Sequence, residues 1–145
     1  MAITSAICSS FKQELLQGKH SFESSGGHTF KLALFDSGAS LGAATTDYST
    51  SEEITNTSGT AYTSGGATLT SVTPVASSTT AVCDFSDVSY SSASFTANGA
   101  LIYNSSASNK AVAVIAFGGD KTVSSGTFTI QFPTADASNA IIRIA

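Results

Sequence analysis

Charge is what this chain has least of. Only 11% of its 145 residues are charged, six Lys and Arg against ten Asp and Glu, for a net charge of −4. Six cations spread along the chain cannot assemble a phosphate-binding stripe, so the reading predicts no nucleic-acid partner. With 41% hydrophobic residues the composition also excludes a disordered acidic or basic tail, and it leaves Ser, Thr, Gly and Asn to cover the surface. There are two cysteines, Cys8 and Cys83, without the spacing of a disulfide framework, and both read as reduced, buried small hydrophobes. The opening residues MAITSAICSSFKQELLQGKH lack a basic segment followed by a long apolar run, so neither a secretory signal nor a membrane span is expected, and assembly is placed in the cytoplasm. No phosphate-binding loop or dinucleotide fingerprint occurs.

What is present reads as a single mostly β domain, residues 1–145, with an N-terminal helical segment in 1–20 and an antiparallel β-sandwich or jelly-roll-like body over 28–145. Ile7, Phe11 and Leu15 recur at helical spacing with Gly18 as a stop, which predicts a helix over 4–17. In HTFKLALFD, Phe30, Leu32 and Leu34 alternate with Lys31, Ala33 and Phe35, as in a strand. Residues 37–58 form a Ser/Thr/Ala/Gly loop longer than most connections, either functional or packed on something, and so a candidate contact loop. Short strands are expected near 60–63, 68–72 and 81–90.

Asn98-Gly99 carries the strongest local signal for a hairpin turn, and SSASN at 105–109 predicts a second one. After it, KAVAVIAF is apolar on both faces: Val112, Val114 and Ala116 on one, Ala111, Ala113, Ile115 and Phe117 on the other. One face needs a cover, and the expectation is that Ile7, Phe11 and Leu15 of the helix pack on Ile115 and Phe117. TFTIQFP predicts a separate strand with Phe128, Ile130 and Phe132 inward, and NAIIRIA a last one.

The chemistry-bearing residues are few. His20 and His28, with Glu23 between them, lack metal-ligand spacing and read as surface histidines flanking a turn. Glu52-Glu53 point apart on an extended chain and read as a solvated loop rather than an acid/base pair. Asp84, Asp87, Asp120 and Asp136 sit beside strand ends as turn residues. Tyr48, Tyr62, Tyr90 and Tyr103 read as half-buried strand aromatics rather than stacking platforms. The sequons at Asn56 and Asn104 read as turn chemistry. No catalytic residue, cofactor or metal is expected, and an enzyme is not the reading.

The segments MAITSAICSSFKQELLQGKHSF, HTFKLALFDSGASLGAATTDYST, GTAYTSGGATLT, GALIYNSSASNKAVAVIAFGGDKT and FTIQFPTADASNAIIRIA together resemble small proteins encoded in tailed-bacteriophage genomes. Tyr90 stands where similar sequences carry an aromatic such as Trp. The resemblance implies a structural protein of the virion, foremost a capsid decoration or cement protein that binds the major capsid protein as a homo-oligomer, assembled in the host bacterial cytoplasm. The rival is a tail or fibre module whose 37–58 loop binds host-surface glycans; a small hydrolase is a third, disfavoured reading.

Overall fold

A hairpin of two long strands organises the molecule, described by a computed structural model over residues 2–55 and 61–145. Strand β6 (Val88–Asn104) runs antiparallel to β7 (Lys110–Ile130), and the turn between them spans 105–109, with Ser108 and Asn109 at positive φ, as SSASN predicts. Asn98-Gly99 does not turn: both residues lie inside β6, and Gly99 faces Ala116. The turn-like excursion is on the partner strand, where Asn98 alone faces residues 117–120. There Gly118 and Gly119 take φ of 78° and 145°, and Asn98 Nδ2 donates to Asp120 Oδ1 at 2.9 Å. The glycine pair absorbs the irregularity that local propensity assigned to Asn98-Gly99. The runs expected as separate strands at 111–117 and 127–132 are therefore joined in one strand, which ends at Ile130.

Two antiparallel sheets result, a β-sandwich-like arrangement with one short helix. The first has the order β1-β7-β6-β2-β3, with β1 at Ala6–Ile7, β2 at Phe30–Phe35 and β3 at Ala67–Thr68. The second has the order β4-β5-β8, with β4 at Ser71–Ser77, β5 at Thr80–Phe85 and β8 at Ile142–Ile144. The strand expected at 68–72 is broken at Leu69-Thr70, and the one expected at 81–90 at Ser86-Asp87, because at those points the chain crosses between sheets. Ser86 N–H donates to Thr70 O across the two crossings. Of the strand expected at 60–63, residue 60 lies outside the described residues, as does the sequon at Asn56, and 61–63 are not strand.

Register sorts the central strands into two faces. Phe30, Leu32 and Leu34 lie across from Asn104, Ile102 and Ala100, while Lys31, Ala33 and Phe35 lie across from Tyr103, Leu101 and Gly99. Neither face is wet: Leu32, Ala33, Leu34, Leu101 and Ile102 are all fully buried. Each fully buried Leu or Ile stabilises the fold by about 1.5–3 kcal/mol, so both faces need a cover. On the first face, Phe30 stacks on Phe22 at 4.3 Å and meets Phe85 of the second sheet at 5.8 Å. On the second, Tyr103 stacks on Tyr48 at 4.4 Å, and Ile3 lies where a side chain at Gly99 would go. The 37–55 loop and the N-terminus, not a helix, close that face.

Helix α1 covers Ser9–Leu16, shorter than the expected 4–17. Ala6 and Ile7 pair instead with Val114 and Ala113, where the edge of β7 offers backbone partners. Gly18 ends the helix at φ 71°: Gly18 N–H donates to Leu15 O and Lys19 N–H to Glu14 O, the paired bonds of a Schellman cap. Phe11 is buried against His20 and Phe22, and Leu15 lines an apolar slot with Phe22, Pro74 and Ile142. The helix thus lies beside the Lys110 end of β7, with Leu15 turned towards the second sheet, and not on Ile115 and Phe117. Those two remain half-buried and line a shallow groove with Lys121 and Phe128.

Candidate functional site

Backbone bonds tie the long loop down along its length. Thr4 N–H donates to Leu41 O, Ser9 N–H to Ala43 O, Ala111 N–H to Thr46 O, and Ile54 N–H to Leu34 O. The last of these extends the edge of β2 and brings Glu53 opposite Phe35. Glu53 is buried, at 8% exposure, which overturns its reading as a solvated loop residue. Its Oε1 accepts from Tyr62 OH at 2.5 Å and Gly65 N–H at 2.7 Å; its Oε2 accepts from Tyr48 OH at 2.6 Å and Ser64 OH at 3.0 Å. Tyr62 OH also accepts from Leu34 N–H, and Tyr103 OH donates to Gly65 O. One carboxylate thereby joins the loop, the 62–65 turn and the sheet. Its neighbour Glu52 is exposed, with φ of 61°, so the two side chains do point apart.

On the outer side of this loop lies an open groove of about 790 Å³, bordered by Thr4, Ser40, Thr46, Asp47, Ser49 and Glu52 among others. Its walls are mostly small and hydroxyl-bearing side chains and backbone, with the carboxylates of Asp47 and Glu52 and the apolar Phe35 and Leu41 among them. Such a surface can hydrogen-bond a partner by shape, and it offers no imidazole or thiol for proton or acyl transfer.

The second polar cluster lies on the other face. His20 is not a surface histidine: its side chain is fully buried, and Nε2 is 3.1 Å from Glu14 Oε1. Asn104, also fully buried, places Nδ2 3.0 Å from His20 Nδ1 and 2.9 Å from Nδ1 of the half-buried His28. Ser106 N–H donates to Asn104 Oδ1 at 3.0 Å, which orients the amide. Both Nδ2 hydrogens then point at imidazole nitrogens, so both Nδ1 atoms accept and both rings carry their hydrogen on Nε2. Lys110 Nζ approaches Glu14 Oε2 at 4.0 Å and Asp47 Oδ1 at 3.4 Å at the rim. Glu23 takes no part, and among the described residues no three His, Cys, Asp or Glu converge as metal ligands do. His20 and Asn104 are 84 residues apart, and no local pattern marks them as partners.

The remaining candidates are structural. Tyr62, Tyr90 and Tyr103 are fully buried rather than half-buried, and burial pushes the Tyr90 and Tyr103 phenols up to about 12 and the Tyr62 phenol higher still. Cys8 and Cys83 are free and buried, as expected, with thiols pushed up by burial to about 11 and about 12. Asp87 accepts from Phe132 N–H. Asp136 accepts from Ser138 and Asn139, and the Asn139 side chain holds it below the usual carboxylate range. Asp136 acts at a turn, as read from the sequence, whereas the Asp87 bond ties the crossing before β6 to the segment after β7. Comparison with known proteins gives no neighbour: no family model matches, and neither a curated protein nor a solved structure matches the chain.

Proposed function

We propose that this chain is a structural protein of a tailed-phage particle: a capsid decoration or cement protein that binds the major capsid protein as a homo-oligomer and stabilises the shell. It would assemble in the host bacterial cytoplasm and reside in the virion. The observation that carries the reading is the division of polar groups. The groups with catalytic potential, Glu53 and the Glu14–His20 pair, lie inside and hold the chain to itself. The accessible groove, by contrast, is lined mostly by small and hydroxyl side chains, with the carboxylates of Asp47 and Glu52 at its border. Such a surface recognises a partner by shape and hydrogen bonds, and repetition on a symmetric shell turns weak contacts into avidity. Binding the intact shell adds free energy to that state alone, so linkage raises the temperature at which the shell opens.

The test is quantitative mass spectrometry of purified particles with thermal genome-release measurements on particles with and without the protein. Copies at capsid stoichiometry and a release temperature raised at low and high salt alike are expected, since few ion pairs are available for screening. The groove also suits the hydroxyls of a glycan, which is the specific ground for the rival host-recognition module of the tail. A few copies per particle and an unchanged release temperature would decide for that rival.

A further inference from the structure

We propose that His28, Asn104 and His20 form an acid-released latch that holds the connection at 18–29 onto the β6–β7 turn. Asn104 is the centre of it. Its Oδ1 is held by Ser106 N–H and its two Nδ2 hydrogens are directed at the two imidazoles, so the latch is closed only while both Nδ1 atoms are bare. Ser21 N–H also points at His28 Nδ1, at 3.4 Å. A proton gained there meets two donors and no acceptor. The amide cannot answer by turning over, because that would put Nδ2 against Ser106 N–H. An imidazole gains its second proton within reach of neutral pH, so mild acid works against the closed state.

The two rings are not equivalent. Of the charged groups around them, Glu14 of α1 lies against His20 Nε2 and offsets a charge on that ring, while Lys110 of β7 approaches Glu14 and pairs with Asp47 of the loop. Lys31 of β2 lies across from Tyr103, on the opposite face. Glu23, in the connection itself, is exposed. Among the described residues no ion pair reaches His28, which is also the ring nearer to solvent. His28 is thus the trigger. The bonds beside it couple the connection to the turn: Thr29 N–H donates to Ser106 Oγ at 2.9 Å, and Ser105 N–H to Thr29 O. Opening the latch therefore loosens 18–29 and 105–106 together, while the sheet beneath stays formed.

Long-range proton–nitrogen NMR on the native protein near neutral pH should show both rings with hydrogen on Nε2. Hydrogen exchange should then show the protection of the Ser21 and Ser106 amides falling in acid, towards roughly tenfold per pH unit where the open form holds the proton and the closed form does not. The Leu32 amide, in β2, should keep its protection. His28→Gln retains an acceptor oxygen but gains no proton, so its Ser106 protection should fall less steeply in acid than the parent's. Hydrogen on Nδ1 of either ring near neutral pH, a pH-independent protection of Ser21 and Ser106, or an identical acid response in His28→Gln would each overturn the latch.

Discussion

Replacing Glu53 by Gln probes the loop anchor with the least change of shape. Each carboxylate oxygen accepts from two donors, and only Gly65 N–H among the four is unable to reorient. The glutamine oxygen must therefore take the Oε1 place, facing Gly65 N–H and Tyr62 OH. Its NH₂ then faces Tyr48 and Ser64, whose hydroxyls can rotate to accept. No bond need be lost, but four charge-assisted bonds become neutral ones. Charge-assisted bonds contribute about 1.5–3 kcal/mol and neutral ones about 1. Allowing for the lower cost of burying an amide than a carboxylate, Glu53→Gln should destabilise by about 2–4 kcal/mol. Glu53→Ala removes the carboxylate that four donors share and should cost about 3–5 kcal/mol. For a chain of this size each kcal/mol lowers Tm by roughly 2–4 °C. Denaturant unfolding with the Glu53→Gln, Tyr62→Phe and double variants completes a cycle, in which contacting residues show couplings of about 0.5–3 kcal/mol. A Glu53→Gln protein within about 0.5 kcal/mol of the parent, the range of an ordinary surface substitution, would refute the anchor.

Two further outcomes follow from burial. Phe11→Ala removes a ring that is 1% exposed and should cost about 3–5 kcal/mol in equilibrium unfolding; a loss under about 1 kcal/mol would mean that α1 is not packed through this residue. Native alkylation near neutral pH should label neither Cys8 nor Cys83, and unfolding should expose both. Their folded-state pKa values lie above the ordinary 9.0, at about 11 and about 12, so the unfolded chain gives up these protons first. The stability from burying neutral thiols is therefore complete below pH 9 and is lost as pH rises towards 11–12, with the raised tyrosines adding in the same direction from 10 upward. Unfolding free energies that stay level from about pH 8 to about pH 10.5 would contradict this sign.

How far the chain could be read in advance depended on the range of the interaction behind each feature. The turn at 105–109, the stop at Gly18 and the inward setting of Phe128 and Ile130 were legible because turn chemistry, capping and period-two alternation act between near neighbours. Asn98-Gly99 is as strong a local signal as any of these and was overridden, since its place in β6 depends on Gly118-Gly119 accommodating the irregularity across the ladder. Ala6 and Ile7 likewise left a helical pattern for the edge of a strand more than a hundred residues away. Periodicity announces that a strand is buried on both sides; it does not name the cover, and here a serine- and threonine-rich loop shares that work with the second sheet.

The polar clusters were the least legible for the same reason carried further. A glutamate among Ser and Thr reads as solvated unless its donors are known, and the donors to Glu53 come from three places in the chain. One clue was available: Tyr48 and Tyr62 are large aromatics flanking a stretch otherwise made of small polar residues. A tyrosine buried in such a place needs an acceptor for its hydroxyl, and the acidic pair between the two tyrosines was the nearest source. His20 offered less, because neither Asn104 nor Glu14 stands at a spacing from it that any motif records. Burial supplied what spacing did not: once a histidine and an asparagine are both fully enclosed, every hydrogen on them must be directed at an acceptor. The position of each proton then follows from a single backbone N–H at Ser106.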